Sequence, residues 1–323
     1  MGSRRSLTPG RVLLGVVALV APLAVGATTV APAHAAAAVD WTVLVGNESS
    51  NMAIQGQRFL PGDITIDAGD SVTWQANSAE VHTVTFIDGG KPQSAIAPLD
   101  PTDGAQITPQ GGSSMTGSGY YNSGMLTTAA TAGPLPVPPV SDYTLSFPNA
   151  GTYTYYCLVH GMAMRGVVHV QPAATAYPAT QADYDADAAF LAKAIVADGR
   201  AVQSLASSLA TSHKVYMGPD DGIAMVMRFL HSKVVIHKGE KVRFLNTMSA
   251  GAPHTVTFGT KPAGLGIFTP SGDPTNYKGG DLHSGIIPPQ GKFVVTFKKA
   301  GKFHYVCMLH QDMGMKGVVV VKP

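Results

Sequence analysis

The chain has 323 residues, only 13% of them charged, with 36 glycines and 23 prolines but two cysteines. That length is enough for two domains, each burying its own core. Few charges, many turn formers and many Val/Thr/Tyr stretches exclude a helical bundle and point to an all-β protein.

Residues 1–35 read as a signal peptide. Arg4, Arg5 and Arg11 form a basic start, an apolar run follows from Val12 to about Val30, and Ala33-His34-Ala35 supplies a small-x-small cleavage pattern. A retained membrane anchor is the competing reading, but Pro22 inside the run and the Ala-rich exit favour cleavage near Ala35. Ser3-Arg4-Arg5 fits the twin-arginine route. The expected location is therefore outside the cytoplasmic membrane: extracellular, periplasmic or in the cell envelope. No other segment is long and apolar enough to span a bilayer.

Residues 36–172 form the first expected domain. Phe59 through Trp74 reads as a strand, a turn at Ala68-Gly69 and a second alternating strand. Val81-His82-Thr83-Val84-Thr85-Phe86 follows. Roughly Lys91 to Val140 is a low-complexity insertion rich in Gly, Pro, Ser and Thr, expected to be a partly ordered surface loop without strands. The domain closes on Ala150 to Cys157 and a Gly-Val-Val strand at Gly166.

Residues 173–212 change character. Tyr184, Ala188, Leu191, Ile195, Val202, Leu205 and Leu209 recur at helical spacings and predict an amphipathic linker helix, packed against a domain face. Gly199 predicts a bend or a split into two shorter helices.

The second domain, 213–323, repeats the first. Phe229 through Phe244 aligns without gaps on Phe59 through Trp74, Pro253 to Phe258 on Val81 to Phe86, and Ala300 to Cys307 on Ala150 to Cys157. Gly317 opens the matching final strand. The halves are electrostatic opposites: ten acidic and three basic residues lie in 36–172, six acidic and thirteen basic in 215–323. The basic half lacks interleaved basic and aromatic runs, so no nucleic-acid partner is expected.

The cysteines occupy equivalent places in the two copies, which argues against an ordinary disulfide. Cys157 is followed by His160, Met162 and Met164, and Cys307 by His310, Met313 and Met315. Cys, His and Met can converge from one tight loop, with a fourth ligand from a distant strand at His82 or His254. One thiolate, two imidazoles and one thioether suit a copper ion cycling between Cu(I) and Cu(II), because the soft sulfurs favour the reduced ion and imidazole accepts both. Oxidation then moves few atoms. Backbone N–H groups bonded to the cysteine sulfur would tune the potential.

Each half resembles a cupredoxin, the plastocyanin–azurin–amicyanin type of blue copper domain, on His82…Cys157-x-x-His160…Met164 and His254…Cys307-x-x-His310…Met315. The resemblance implies a Greek-key β-sandwich of about eight strands with copper near one end. It also implies two type-1 coppers per chain, and an edge of His160 or His310 at solvent as an electron port. For the axial ligand, Met164 and Met315 align beside the returning strand. Met162 and Met313 compete, with apolar packing as their other role.

Two-domain relatives of this fold include enzymes. Multicopper oxidases and laccases need His-x-His pairs, and copper nitrite reductases a His next to the type-1 Cys. Here no His-x-His occurs, and Tyr156 and Val306 precede the cysteines. An electron carrier is therefore expected before a catalyst. A copper-sequestering protein is the alternative, although the thirteen methionines are scattered. A catalytic assembly completed at a subunit interface through His283 ranks below both. His169, His231, His237 and His304 are not preserved between copies and read as surface or strand histidines. The expected partners are redox proteins, and a homo-oligomer and a peripheral association with a membrane stay open.

Overall fold

The computed structural model describes residues 37–87, 99–133, 135, 137–248 and 252–323. The expected leader, its cleavage point and residues 91–98 of the insertion lie outside the described residues.

The first half folds as alternation dictates. Its elements are β1 (Asp40–Glu48), β2 (Ile54–Leu60), β3 (Asp63–Asp67), β4 (Ser71–Ala76), β5 (Thr85–Phe86), α1 (Gly104–Ile107), β6 (Pro109–Gln110), β7 (Tyr121–Ser123), β8 (Asp142–Ser146), β9 (Gly151–Cys157) and β10 (Gly161–Gln171). One sheet runs β2-β1-β4-β8 and the other β3-β10-β9-β5-β7-β6. β1 pairs parallel to β4 and β3 parallel to β10, among otherwise antiparallel pairs, so both sheets are of the mixed Greek-key kind. Trp41, Val43 and Val45 of β1 point inward at every second residue and meet Ile64, Ile66, Trp74, Tyr155 and Val168 in one core.

α2 (Gln181–Leu209) then leads to the second half. This comprises β11 (Lys214–Met217), β12 (Ala224–Val226), β13 (Phe229–Leu230), β14 (Lys233–His237), β15 (Lys241–Asn246), β16 (Thr257–Phe258), a 3-10 turn at Gly264–Phe268, β17 (Leu282–His283), β18 (Lys292–Thr296), β19 (Gly301–Val306) and β20 (Lys316–Lys322). Sheets β13-β11-β15-β18 and β14-β20-β19-β16-β17 enclose a core of Val215, Phe229, Phe244, Phe258, Phe297 and Tyr305. The molecule is thus all-β, with two mixed Greek-key sandwiches and a helical link, the architecture that the resemblance implied.

Two expectations need correction. The insertion does contribute strands: β7 pairs with β5, β6 with β7, and Met115, Met125 and Leu126 are fully buried. Strands of two or three residues carry too little alternation to stand out in a Gly/Ser/Thr-rich stretch. The linker is also one continuous helix of 29 residues, started by a Thr180/Asp183 capping box. Its buried face is Ala188, Ile195, Gly199 and Ala206, whereas Leu191, Leu205 and Leu209 are exposed. Gly199 does not interrupt the helix. A Cβ there would lie 2.3 Å from Ile54 Cγ2 and 3.2 Å from Ala224 Cβ, so glycine allows close approach to the sheet below.

That sheet is shared between the halves. β12 adds antiparallel to β2, extending the first half's sheet with a strand from the second. The pairs are Ala224 with Gly56, Met225 with Gln55 and Val226 with Ile54. Gln55 and Met225 are equivalent positions when the two copies are aligned, so the ribbon is symmetric about its central pair. α2 covers it, packing on Ile54, Leu60 and Ala224 at one end and on Val226 and Leu230 at the other.

The arginines of the same two segments follow that symmetry. Arg58 donates to the carbonyls of Ala163 and Gly222, and Arg228 to those of Met313 and Asn51. Each guanidinium therefore ties the Cys–His–Met loop of its own half to backbone of the other.

Candidate metal centre

The ladder delivers the donors. Cys157 ends β9, and Gly161 pairs with it across the hairpin before a register shift to Arg165 accommodates 162–164. His82 is held by two backbone hydrogen bonds to Leu126, 2.8 Å each way, and His254 by the matching pair to Ile287. In the second half, Cys307 N donates to Met315 O, and His310 N donates to Cys307 O.

Within each half, the His, Cys and His donors lie within 4.8 Å of one another, and all three residues are buried. Cys157 Sγ is 3.9 Å from His82 Nδ1 and 3.3 Å from His160 Nδ1. Cys307 Sγ is 3.8 Å from His254 Nδ1 and 3.3 Å from His310 Nδ1, and the two nitrogens are 3.1 Å apart. A trigonal first-row ion with bonds of about 2.0 Å to nitrogen and about 2.3 Å to sulfur needs donor separations of about 3.5–3.7 Å, so these edges fit such an ion. Both cysteines are free thiols. Thr83 N and Thr255 N each point at the sulfur of their own site from 3.4 Å. Thr83 Oγ1 and Thr255 Oγ1 accept from Leu158 N and Met308 N, both at 2.8 Å, which holds the loop that follows each cysteine.

The methionines separate by burial. Met164 and Met315 are fully buried, each in the core cluster that contains its own cysteine. Met162 is 47% exposed, and Met313 belongs to a different cluster with Met225, Met227 and Met248.

Glycine shapes the outer side of the first histidine in each site. Gly46 (φ 72°) lies within β1, where its register against β2 shifts between Val45 and Asn47, and Gly218 (φ 53°) follows β11. A Cβ would come within 2.5 Å of His82 Nε2 at the first and 1.9 Å of His254 Nε2 at the second. Ser78 Oγ supplies His82 Nε2 with a partner at 3.0 Å.

The other pair of histidines does not face solvent. The resemblance implied an exposed edge, but His160 and His310 are 1% and 4% exposed. Between them lies Glu80, itself 3% exposed, with Oε1 3.9 Å from His160 Nε2 and Oε2 3.4 Å from His310 Nε2. Self-comparison of the halves could not find Glu80, because Ala252 stands two residues before His254 where Glu80 precedes His82.

Charge is distributed unequally. Burial lowers His82 to about 3 and His160 to about 4, and raises the Cys157 thiol to about 11. In the second site burial is outweighed by partners. Beside Cys307 and Glu80, His310 is pushed up to about 10, and Cys307 falls well below its ordinary value next to His310 and His254. Glu80 is held at about 2 despite burial, by His310 first and then by His160 and His82. Partners thus offset burial in the second site, whereas burial prevails in the first.

His283, the candidate for a further metal, uses both ring nitrogens within its own half. Nδ1 lies 2.8 Å from Thr257 Oγ1 and Nε2 2.9 Å from Ile267 O. Asn122, its counterpart, bonds Thr85 and two backbone carbonyls in the same way. His169, His231, His237 and His304 lie exposed on the surface.

Comparison with known proteins agrees with this chemistry. The family described as copper binding proteins, plastocyanin/azurin family, matches residues 42–171 and 214–322. Chloroplastic plastocyanin of Physcomitrium patens is 34% identical over 128 residues, 38% of this chain and 68% of its own length. Plastocyanin of Scenedesmus fuscus is 28% identical over 41% of this chain and its entire length. Among solved structures, oxidized plastocyanin from Dryopteris crassirhizoma matches at 19% identity with a TM-score of 0.23, over 34% of this chain and 99% of that one. With both halves matched and a His/Cys/His donor cluster in each, the chain belongs to the plastocyanin/azurin family of copper-binding proteins.

Proposed function

We propose that the chain is an exported electron carrier with one type-1 copper in each half. His82, Cys157, His160 and Met164 would hold the first ion, and His254, Cys307, His310 and Met315 the second. The observation that carries this reading is the convergence, twice, of one cysteine sulfur and two histidine Nδ1 atoms, all on buried residues. Copper supplies one-electron chemistry between Cu(I) and Cu(II) when bound. The chain's part is to keep the donors still. The Thr83 and Thr255 amides stabilise the thiolates, the β-ladders fix the histidine backbones, and burial excludes water. The leader and the near-neutral mature chain support work outside the cytoplasmic membrane, with soluble redox proteins as partners.

A visible absorption spectrum with copper quantitation on the mature protein tests this. About two coppers per chain and an intense blue thiolate band, halved by Cys157→Ser and by Cys307→Ser separately, are expected. A band that vanishes wholly with one substitution would show that only one half works.

A copper-storing protein is the second reading. It is favoured by the gathering of Met52, Met225, Met227, Met248 and Met313, scattered in sequence, into one cluster. Well over two coppers per chain, with Cu(I) retained after reduction, would select it.

A further inference from the structure

In a carrier with two such sites, the outer edge of each loop histidine is the natural path for electrons. Here those edges meet. His160 Nε2 and His310 Nε2, from opposite halves, approach the two oxygens of a single carboxylate at 3.9 and 3.4 Å. Metal at Nδ1 requires the ring proton to sit on Nε2, so both rings then direct an N–H at Glu80. All three groups are buried. A lone buried carboxylate is costly, and Glu80 Oε2 and His160 Nε2 are buried without a hydrogen-bond partner, so each is left to the charged or polar group that faces it. The two oxygens and two donors match in number.

We propose that Glu80 is a bridge that couples the two copper sites, holding the outer imidazoles of both so that the state of each is felt at the other. This rests on the two-copper reading above. Only two through-space gaps separate ring, carboxylate and ring, while the outer edges have no solvent face of their own. An electron passing between sites oxidises one by a single equivalent and reduces the other by the same. No bond is made or broken, and no proton leaves the pair. Glu80 acts through the histidines and is a positioning residue.

Its position on the first half makes the test sharp. A buried negative charge favours the more positive oxidation state, so Glu80→Gln should raise the potential of both sites. A tenfold change in the Cu(II)/Cu(I) binding ratio corresponds to about 59 mV for one electron. The sites are read one at a time by spectroelectrochemistry in Cys157→Ser and Cys307→Ser backgrounds, each with and without Glu80→Gln. A rise in the Cys307 site, which belongs to the other half, is the expected result. Glu80→Asp, which keeps the charge, should return most of the way to the wild-type potential. A shift confined to the Cys157 site, or none at either, would overturn the bridge while leaving two blue sites standing. Loss of the blue bands in wild-type protein would instead remove the two-copper reading itself.

If Glu80→Gln does not fold, the Cu(I)-loaded wild type decides by histidine NMR. Slowly exchanging Hε2 protons on both His160 and His310 support the bridge. Rapid exchange of either with water would refute it.

Discussion

Gly46 and Gly218 show how much of each site is set by residues that never touch metal. Both have positive φ, and both leave no room for a methyl group beside the first histidine. Alanine there combines left-handed backbone strain of about 1–3 kcal/mol with a clash that pushes the ring off its donor position. Gly46→Ala should therefore cost copper at the Cys157 site alone, and Gly218→Ala at the Cys307 site alone. Copper content and residual blue absorbance in each variant, compared with the single-cysteine variants, read this directly. Equal loss at both sites would mean that the glycines act through global stability instead. These glycines were hidden in the sequence because their role is to be absent from a volume that a distant histidine fills.

At the scale of elements, α2 is the instructive case. Gly199→Val should destabilise the protein by about 1–3 kcal/mol, the usual cost of overpacking, because its side chain would meet Ile54 and Ala224. Leu205→Ala, on the 63% exposed side, should change stability by no more than about 0.5 kcal/mol. Thermal unfolding of both variants compares the two faces, and the reverse order would place the packing on the leucine side. Helical periodicity located the helix and placed Ala188 and Ile195 on its packed face, but Leu191, Leu205 and Leu209 of the same set lie on the exposed side. Close packing on a sheet selects Ala188, Gly199 and Ala206 for their small size, and hydrophobicity alone does not register this. The His and Cys donors were legible for the opposite reason: fixed short spacing, chemistry that few residues supply, and occurrence twice. Glu80 had none of those signals, being single, and neither did the crossing of β12, whose partner lies some 170 residues away.

For the whole molecule, the outer histidines point inward while the surfaces of the two halves differ in charge. If the chain exchanges electrons with outside partners as proposed, that exchange passes over other surface, where the acidic first half and basic second half can steer encounter. With a small acidic redox protein, the second-order exchange rate should fall steeply as ionic strength rises from about 0.01 M to 0.15 M, where the Debye length shortens from about 30 Å to 8 Å. A flat response would show that charge does not guide docking. The self-matching ribbon of β2 and β12 has a further consequence for origin. An edge that pairs antiparallel with its own counterpart is the contact of a two-fold homodimer. A single ancestral half with residues 54–60 at its edge would offer that contact to a second copy of itself. In the fused chain, the helix turns a concentration-dependent meeting into a permanent one. In such a joined pair, a single glutamate from one half is enough to face the loop histidines of both.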